Sequence, residues 1–157
     1  MLRSDIKAPN YKIADLPALV GQTLGHSDWI TIDQARVDAF AHATGDLQWI
    51  HIDPQRAASG PFGSTIAHGF LTLALLPVMS SQAYDIPEAT LRVNYGLNKL
   101  RFPAPVPVGS RLRGHFKLLS CLPVDKGWQL TLEVTMEREG ADKPVCVAES
   151  VARVLAG

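Results

Sequence analysis

The 157-residue chain carries 15 Lys and Arg against 15 Asp and Glu, so its formal net charge is zero. This balance gives no electrostatic basis for binding nucleic acid or an anionic membrane surface, and it favours self-association over mutual repulsion. A composition of 46% hydrophobic and 19% charged residues is ordinary for a globular protein and argues against intrinsic disorder. The length predicts one domain over residues 1–157, with residues 1–15 as a peripheral extension.

The cysteines and the N-terminus favour a cytoplasmic protein. Cys121 and Cys146 lie in apolar, strand-like runs without metal-binding or redox spacing, which predicts reduced thiols in the core. The first seven residues, Met-Leu-Arg-Ser-Asp-Ile-Lys, lack the apolar stretch of a signal peptide. The longest apolar run, residues 66–79, is too short to span a bilayer, so we expect no membrane partner.

The first third of the chain predicts one strand and one helix. Residues 1–22 are expected to be irregular, and residues 23–31 to form a strand. Residues 33–44 predict a helix, because apolar side chains recur on one face at helical spacing. Gly45 can end this helix, which places Asp46 just beyond a helix C-terminus in non-helical backbone.

The middle of the chain predicts a long buried helix. Residues 54–58 form a short helical turn, since a proline follows an aspartate that can cap it, and residues 60–63 form a loop. Residues 65–82 are apolar almost all round, which predicts a helix buried on most sides. Pro77 removes a backbone donor and is expected to kink this helix near Leu73.

After Pro87 the hydrophobic period changes from helical to alternating. A change of phase near Asn98 predicts a β-bulge. The order of a strand, helices and then four antiparallel strands in a meander defines an α+β fold, and one long buried helix suits a sheet wrapped around it. The four predicted strands cover about residues 91–102, 111–118, 128–137 and 143–154.

Asp46 and His51 are the candidate catalytic residues. They stand five positions apart in the turn-rich segment Thr-Gly-Asp-Leu-Gln-Trp-Ile-His. Hydration of an α,β-unsaturated thioester needs a water over Cβ, a base for its proton and a proton for Cα. A carboxylate and an imidazole that reach the same water can divide those tasks, because both can titrate near neutrality when partly desolvated. Which of the two delivers the proton stays open.

Gly69 is the candidate for stabilising the enolate oxygen. It opens the long helix, where unpaired N–H groups point outward and favour negative charge. A glycine there lets a carbonyl approach the backbone closely. The apolar helix that follows can line a tunnel for an acyl chain.

Each of these residues also has a simpler structural interpretation. Asp46 could be a turn residue and His51 a core histidine; for His68 we favour a helix-start residue that bonds locally. Asp46, His51, Asp53 and His68 could also be metal ligands, but their spacing matches no strong signature and we expect no metal. It is the combination of a carboxylate, an imidazole and a His-Gly pair at a helix start that favours an active site. Three other histidines are expected on the surface or on a strand face: His26, His42 and His115.

Two motifs carry a resemblance to a known family. The first runs from Phe40 as Phe-Ala-x-Ala-Thr-Gly-Asp-x-x-x-x-His-x-Asp, and the second from Pro61 as Pro-Phe-Gly-x-x-Ile-Ala-His-Gly-Phe-Leu. Together they resemble the hydratase motif of the MaoC-like dehydratases, the (R)-specific enoyl-CoA hydratases. Thr-Gly-Asp-x-Gln-Trp-Ile-His, with Asn-Tyr-Gly-x-Asn-Lys-x-Arg-Phe from Asn94, is similar to the NodN-like branch. The similarity extends over about residues 16–154.

The resemblance implies a hotdog fold, a homodimer and reversible syn hydration of trans-2-enoyl thioesters to (3R)-hydroxyacyl thioesters. Asp46 and His51 match the catalytic pair, and Gly69 matches the oxyanion-hole glycine. His68, Trp49 and Phe62 are further candidates for oxyanion or substrate binding. No metal or redox cofactor is implied, because the thioester itself acidifies the α-carbon. Coenzyme A or acyl carrier protein enters only as part of the substrate.

The chain departs from the family pattern at two places. Many members carry Asn-Pro before the catalytic histidine, where this chain has Gln48-Trp49, and this difference predicts an altered acyl pocket. Some members place a serine further along the central helix, where this chain has Leu-Pro-Val at residues 76–78. A contribution from such a serine is therefore in doubt.

Two other functions stay open alongside the hydratase. A hotdog thioesterase would attack the carbonyl carbon and release an acid and a thiol, and a non-catalytic protein would only bind the acyl thioester. Binding coenzyme A would need local cations. The candidate cations are Lys99, Arg101, Arg111 and Arg113.

Overall fold

The structure, a computed structural model, describes residues 7–156. A 3₁₀ helix, Ile13–Leu19, precedes the first strand. The helices are α1 (Gln34–Thr44), α2 (Trp49–Ile52), α3 (Pro54–Ala58), α4 (Gly69–Ala74) and α5 (Leu76–Ala83). The strands are β1 (Thr23–His26), β2 (Ile30–Thr31), β3 (Leu91–Arg101), β4 (Arg111–Val124), β5 (Gly127–Arg138) and β6 (Cys146–Leu155).

The strands form one antiparallel sheet in the order β1-β4-β5-β6-β3, and β2 also pairs with β4. The prediction of a four-strand meander was therefore wrong for β3, which pairs with β6 rather than with β4. The physical reason lies in the connection after β3, which contains Pro103, Pro105 and Pro107. It cannot form a tight hairpin, and at Pro107 it pairs with Ile66 on its way across the molecule.

The inner face of the sheet confirms the predicted alternation in β4 and β5. Side chains of one phase are buried, while their neighbours are partly or fully exposed. The predicted bulge near Asn98 is confirmed as a shift of register between Leu97 and Lys99. The buried residues of this face include Leu112, Phe116, Leu118, Leu130, Leu132, Val134 and Met136.

The sheet wraps around two consecutive helices, α4 and α5, and this arrangement is the expected hotdog fold. The helix predicted over residues 65–82 begins later than expected, and it is broken close to the place where Pro77 was expected to kink it. Residues 65–68 are not helical, and the helix is interrupted at Leu75. Pro77 explains the interruption, because it has no N–H to bond to Leu73 and its ring crowds that carbonyl.

Burial of the two helices is one-sided. Met79 is fully buried against the sheet, whereas Phe70 is 66% exposed and Val78 is 42% exposed. The expectation of burial on most sides was therefore wrong for this chain taken alone. Strand β3 also exposes apolar residues (Leu91, Val93, Tyr95 and Leu97), and two of them, Tyr95 and Leu97, line a groove with residues of both helices.

The N-terminal segment differs from its prediction. The predicted strand over residues 23–31 is two short strands, and residues 1–22 contain a 3₁₀ helix in which Leu16 is fully buried. Tyr11 N–H donates to the Asp85 carbonyl, which ties the start of the described chain to the end of α5. Residues 1–6 of the predicted extension lie outside the described residues.

The two cysteines are free thiols in different environments. Cys146 is buried, and burial raises its pKa to about 11. Cys121 is only partly buried, so the prediction of core thiols holds for Cys146 alone. Within residues 7–156, the chain has no helix with both the length and the apolarity needed to cross a bilayer.

Candidate active site

The end of α1 places Asp46. Gly45 adopts a left-handed conformation (φ 81°), and its N–H donates to the Ala41 carbonyl, which ends the helix as predicted. The backbone carbonyl of Asp46 then accepts a hydrogen bond from His68 Nε2 at 3.0 Å. With its backbone held in this way, the Asp46 side chain stays exposed to solvent.

His51 lies in the short helix α2 and is only 6% exposed. Its Nδ1 is 2.7 Å from the Ile66 carbonyl oxygen. Because a carbonyl only accepts, Nδ1 carries the proton of the neutral ring and Nε2 presents a lone pair. Burial is the largest influence on His51 and lowers its pKa, with a smaller lowering from His68; the Ile66 hydrogen bond and Asp46 act in the opposite direction. His51 is therefore a neutral imidazole at neutral pH, as a general base must be.

His68 connects the two candidate catalytic residues. Its ring stacks on the His51 ring with centroids 3.8 Å apart and planes 23° apart, and it also contacts Phe40. It is 3% exposed, and its Nδ1 has no hydrogen-bond partner within residues 7–156. The expectation that His68 bonds locally was wrong, because its hydrogen bond reaches back 22 residues to Asp46.

Asp46, His51 and His68 form one cluster. Each contributes an atom from its carboxylate or ring nitrogens, and these atoms lie within 4.8 Å of one another. A single water making two hydrogen bonds of about 2.8 Å can bridge such a separation. The predicted convergence of Asp46 and His51 is thus present in the structure.

The same cluster has the residue types of a metal site, but its rings are not arranged as ligands. Two imidazoles that share an ion each point an in-plane lone pair at one point about 2 Å away. Here the two ring planes are nearly parallel, 3.8 Å apart at their centroids, so one ring would have to rotate first. Asp53 is not part of the cluster, because its carboxylate accepts from Arg56 N–H at the start of α3.

Gly69 begins α4 directly after His68. A Cβ at this position would lie 2.8 Å from the ring of Phe102, so a larger residue would displace that side chain. Gly69, Phe62 and Phe102 line one cavity of about 320 Å³ with Ile66 and Val106. Phe62 and Gly69 are therefore brought together, as expected for residues that contact one ligand.

Trp49 does not line this cavity. The Cζ atom of Arg56 lies over the Trp49 ring, 4.3 Å from its centroid. A Cβ at Gly60 would lie 3.0 Å from the same ring. These contacts hold the α2–α3 turn together. A role for Trp49 in substrate binding stays a prediction.

The four candidate cations separate into two pairs. Arg111 and Arg113 form ion pairs with Glu139 and Glu137, and both stack on Trp29. Their charges are therefore already paired within the chain, which does not support their predicted role as cations for coenzyme A. Lys99 and Arg101 lie exposed on β3. Of the other histidines, His26 and His42 are exposed and His115 is on a strand face, as predicted.

Gln34 is a residue of the site that the sequence analysis did not single out. Its side chain contacts the backbone of His51 and the hydroxyl of Thr65. A glutamine at the first position of a helix has no distinguishing spacing, and its partners lie 17 and 31 residues away. No local pattern could have identified it.

Comparisons with known proteins identify the family of the chain. Residues 15–140 match the family described as MaoC like domain. The 3-hydroxyacyl-thioester dehydratase Z of Mycobacterium tuberculosis is 57% identical over 145 residues, which cover 92% of this chain and 96% of that protein. Nodulation protein N of Rhizobium leguminosarum bv. viciae is 50% identical over 139 residues, which cover 87% of this chain and 86% of that protein.

Among solved structures, the (R)-hydratase from A. caviae has a TM-score of 0.70 at 28% identity, over 85% of this chain and 94% of that chain. The chain belongs to the MaoC-like dehydratase family, and the expected likeness to its NodN-like branch is confirmed.

Proposed function

We propose that the protein is a hydro-lyase that reversibly hydrates trans-2-enoyl thioesters to (3R)-hydroxyacyl thioesters. One observation carries this proposal. His51 directs its ring proton to a backbone carbonyl, which leaves Nε2 as the base, and one of its ring nitrogens lies within 4.8 Å of a carboxylate oxygen of Asp46. The family membership supports the reaction class, since the relative from M. tuberculosis is named a 3-hydroxyacyl-thioester dehydratase.

In the proposed mechanism, Asp46 and His51 hold one water over Cβ. His51 Nε2 removes a proton from that water as its oxygen bonds to Cβ. The pair then supplies a proton to Cα. Because the same two side chains serve both carbons, hydrogen and hydroxyl add to the same face of the double bond, which gives syn addition. Dehydration follows the same steps in reverse.

We assign the stabilisation of the negative charge that develops on the thioester oxygen to the N–H of Gly69, which would donate a hydrogen bond to that oxygen. The first N–H groups of a helix have no intrahelical acceptor, and donors placed before the reaction stabilise a developing oxyanion. The cavity beside Gly69 has an apolar lining, with Phe62 and Phe102 among its residues. Such a lining excludes water from the thioester and strengthens that hydrogen bond.

For the acyl chain we propose the apolar groove beside α4 and α5. It is lined by Leu73, Leu76, Pro77 and Leu97 among others, and Leu73 lies one helical turn after Gly69. Pro77, which stands where some family members have a serine, forms part of this lining. A profile of turnover against acyl length tests the assignment, with Leu97→Trp expected to shorten the preferred chain.

We propose that the working protein is a homodimer. Strand β3 has a neighbour on one side only within the described residues, and it exposes apolar side chains, including Tyr95 at 62%. Pairing two such edges removes an exposed strand from each copy. Size-exclusion chromatography with light scattering should give about twice the 17.0 kDa chain mass, and a Val93→Lys, Tyr95→Lys variant should elute as a monomer.

The reaction is tested with the purified protein and crotonyl-CoA, by following the loss of enoyl absorbance. Wild type should turn over, and the product should be the (3R) isomer by chiral chromatography. Asp46→Asn should lose about a hundredfold or more in kcat while unfolding at the wild-type temperature. Full activity of this variant would refute the assignment of Asp46.

A parallel thiol-release assay separates the hydratase from a thioesterase. Free coenzyme A, with no loss of the double bond, would assign the protein to the thioesterases. Thermal stabilisation by crotonyl-CoA without any turnover would assign it to the acyl-thioester binding proteins.

A further inference from the structure

We infer that Gln34 is a positioning residue for the proposed catalytic histidine, His51. Gln34 bonds the backbone carbonyl of His51 directly, and through Thr65 it also holds the Ile66 carbonyl that accepts the proton of the His51 ring. This inference rests on the proposed function, because it assumes that His51 acts on the substrate. The evidence is a chain of short hydrogen bonds that joins three separate segments of the protein.

Gln34 is the first residue of α1, and its amide group uses both kinds of hydrogen-bonding atom. Nε2 donates to the His51 backbone carbonyl at 2.7 Å and to the Asp38 carboxylate at 2.9 Å. Oε1 accepts from the Thr65 hydroxyl at 2.7 Å. Only one orientation of the amide satisfies two acceptors on one side and a donor on the other, so this side chain is locked.

The second half of the chain of bonds begins at Thr65, which is 4% exposed. The next residue, Ile66, supplies the carbonyl that receives the proton of His51 Nδ1. Its N–H donates to the Ile50 carbonyl at 3.0 Å. Holding Thr65 therefore also holds the acceptor that selects the His51 tautomer.

The consequence is geometric. α2 is only four residues long and has no side-chain cap, so its own hydrogen bonds hold it weakly. Gln34 connects it to α1, which is 11 residues long and properly capped by Asp33. Small displacements of a catalytic group cost up to about a hundredfold in rate. Gln34 touches none of the reacting atoms of the proposed mechanism, so its loss should reduce kcat and leave KM nearly unchanged.

The test compares Gln34→Met, Thr65→Val and Thr65→Ser with wild type. Methionine keeps the length of glutamine and adds no charge, but it cannot form these hydrogen bonds. We expect Gln34→Met to lose about tenfold to a hundredfold in kcat and Thr65→Val to lose less. Thr65→Ser keeps the hydroxyl and should retain nearly wild-type turnover. The double variant Gln34→Met, Thr65→Val should lose no more than Gln34→Met alone, since both act through one connection.

A second readout does not depend on turnover. Nitrogen-15 NMR of the His51 ring should show a single tautomer with the proton on Nδ1 in wild type, and a mixture or an exchange-broadened signal in Gln34→Met. The acid limb of the pH profile of kcat/KM should also move to higher pH in this variant, because a loosened His51 is better hydrated and its pKa returns towards 6.5. The other titratable groups acting on His51 are Asp46 and His68.

The matched control is Gln129→Glu. Gln129 lies in β5, and its amide oxygen accepts from Arg153 Nε, a bond that a carboxylate preserves. This variant should match wild type in kcat and in the His51 spectrum. An unchanged His51 spectrum and unchanged kcat in Gln34→Met would overturn the inference. Should Gln34→Met fail to fold, equal activity of Thr65→Val and Thr65→Ser would overturn it instead. Wild type without any turnover would refute the proposed function, while the NMR comparison would still test the positioning.

Discussion

The molecule contains two clusters that pair histidines with a carboxylate, and they behave differently. The candidate active-site cluster consists of Asp46, His51 and His68. The sheet-face cluster consists of His26, His115 and Glu137 on β1, β4 and β5. In the first, the rings stack 3.8 Å apart and are buried; in the second, the rings are tilted 5.7 Å apart, and the His115 and Glu137 side chains are 37% and 35% exposed.

The decisive difference is which partner each histidine bonds. His115 Nε2 bonds the Glu137 carboxylate directly at 2.7 Å, so this nitrogen is already occupied. His51 bonds a neutral carbonyl through Nδ1 and keeps Nε2 for another molecule. Burial opposes the ionisation of Glu137, but hydrogen bonds from His115 and Arg113 outweigh it and lower the pKa of Glu137. The two clusters share residue types and differ in burial and in whether a histidine bonds a neutral carbonyl or a carboxylate.

Replacing His51 and His115 in two separate variants should give the largest difference between the clusters. His51→Ala should lose about a hundredfold or more in kcat, because the base of the proposed reaction is gone. His115→Ala should stay within about twofold of wild type, since a partly exposed ion pair outside the candidate site contributes little. Steady-state kinetics with crotonyl-CoA measures both. Equal losses in the two variants would contradict the comparison.

The stacked partner should have an intermediate effect. His68→Phe keeps an aromatic ring against His51 but loses the donor to the Asp46 carbonyl. The Asp46 backbone is then held less firmly, and we expect about a tenfold loss in kcat. His26→Phe makes the same change in the sheet-face cluster and should leave kcat unaltered. A wild-type rate for His68→Phe would show that the bond to Asp46 has no influence on the reaction.

The pH dependence of stability should separate the clusters into two windows. His51 has a lowered pKa in the folded protein, so below pH 6.5 the unfolded chain takes up a proton that the folded protein does not. The free energy of unfolding should therefore fall as the pH decreases from 6.5, and less steeply in His51→Gln. Glu137 has a lowered pKa too, so its contribution is complete above pH 4.5 and is lost as the pH falls further. Urea titrations between pH 8 and pH 3 measure both windows, and a curve for His51→Gln parallel to wild type would contradict the assignment.

The smallest effect should come from the ion pairs of the sheet face. Glu137→Gln removes the partner of His115 and Arg113 at a partly exposed position. We expect a loss of no more than about 1 kcal/mol in the free energy of unfolding, and less at high salt. Denaturant titrations at low and high ionic strength check this. A loss that does not depend on salt would indicate that packing, and not charge, holds this cluster.

The sequence by itself determined the features that depend on neighbouring residues. The alternation in β4 and β5, the end of α1 at Gly45 and the bulge near Asn98 all follow from patterns a few residues long. The motif around Asp46 and His51 could also be recognised in the sequence, because the residue types that move protons stand close together in the chain.

The tertiary structure decided the features that depend on distant segments. The pairing of β3 with β6 joins residues 46 to 64 positions apart. The bond from His68 to Asp46 and the bonds of Gln34 also join separate segments, and the exposure of Phe70 depends on which elements cover α4. Local periodicity records which face of an element is apolar, whereas these contacts depend on how whole elements are placed against one another. For that reason the two histidine clusters, alike in composition, could be told apart only in the folded molecule.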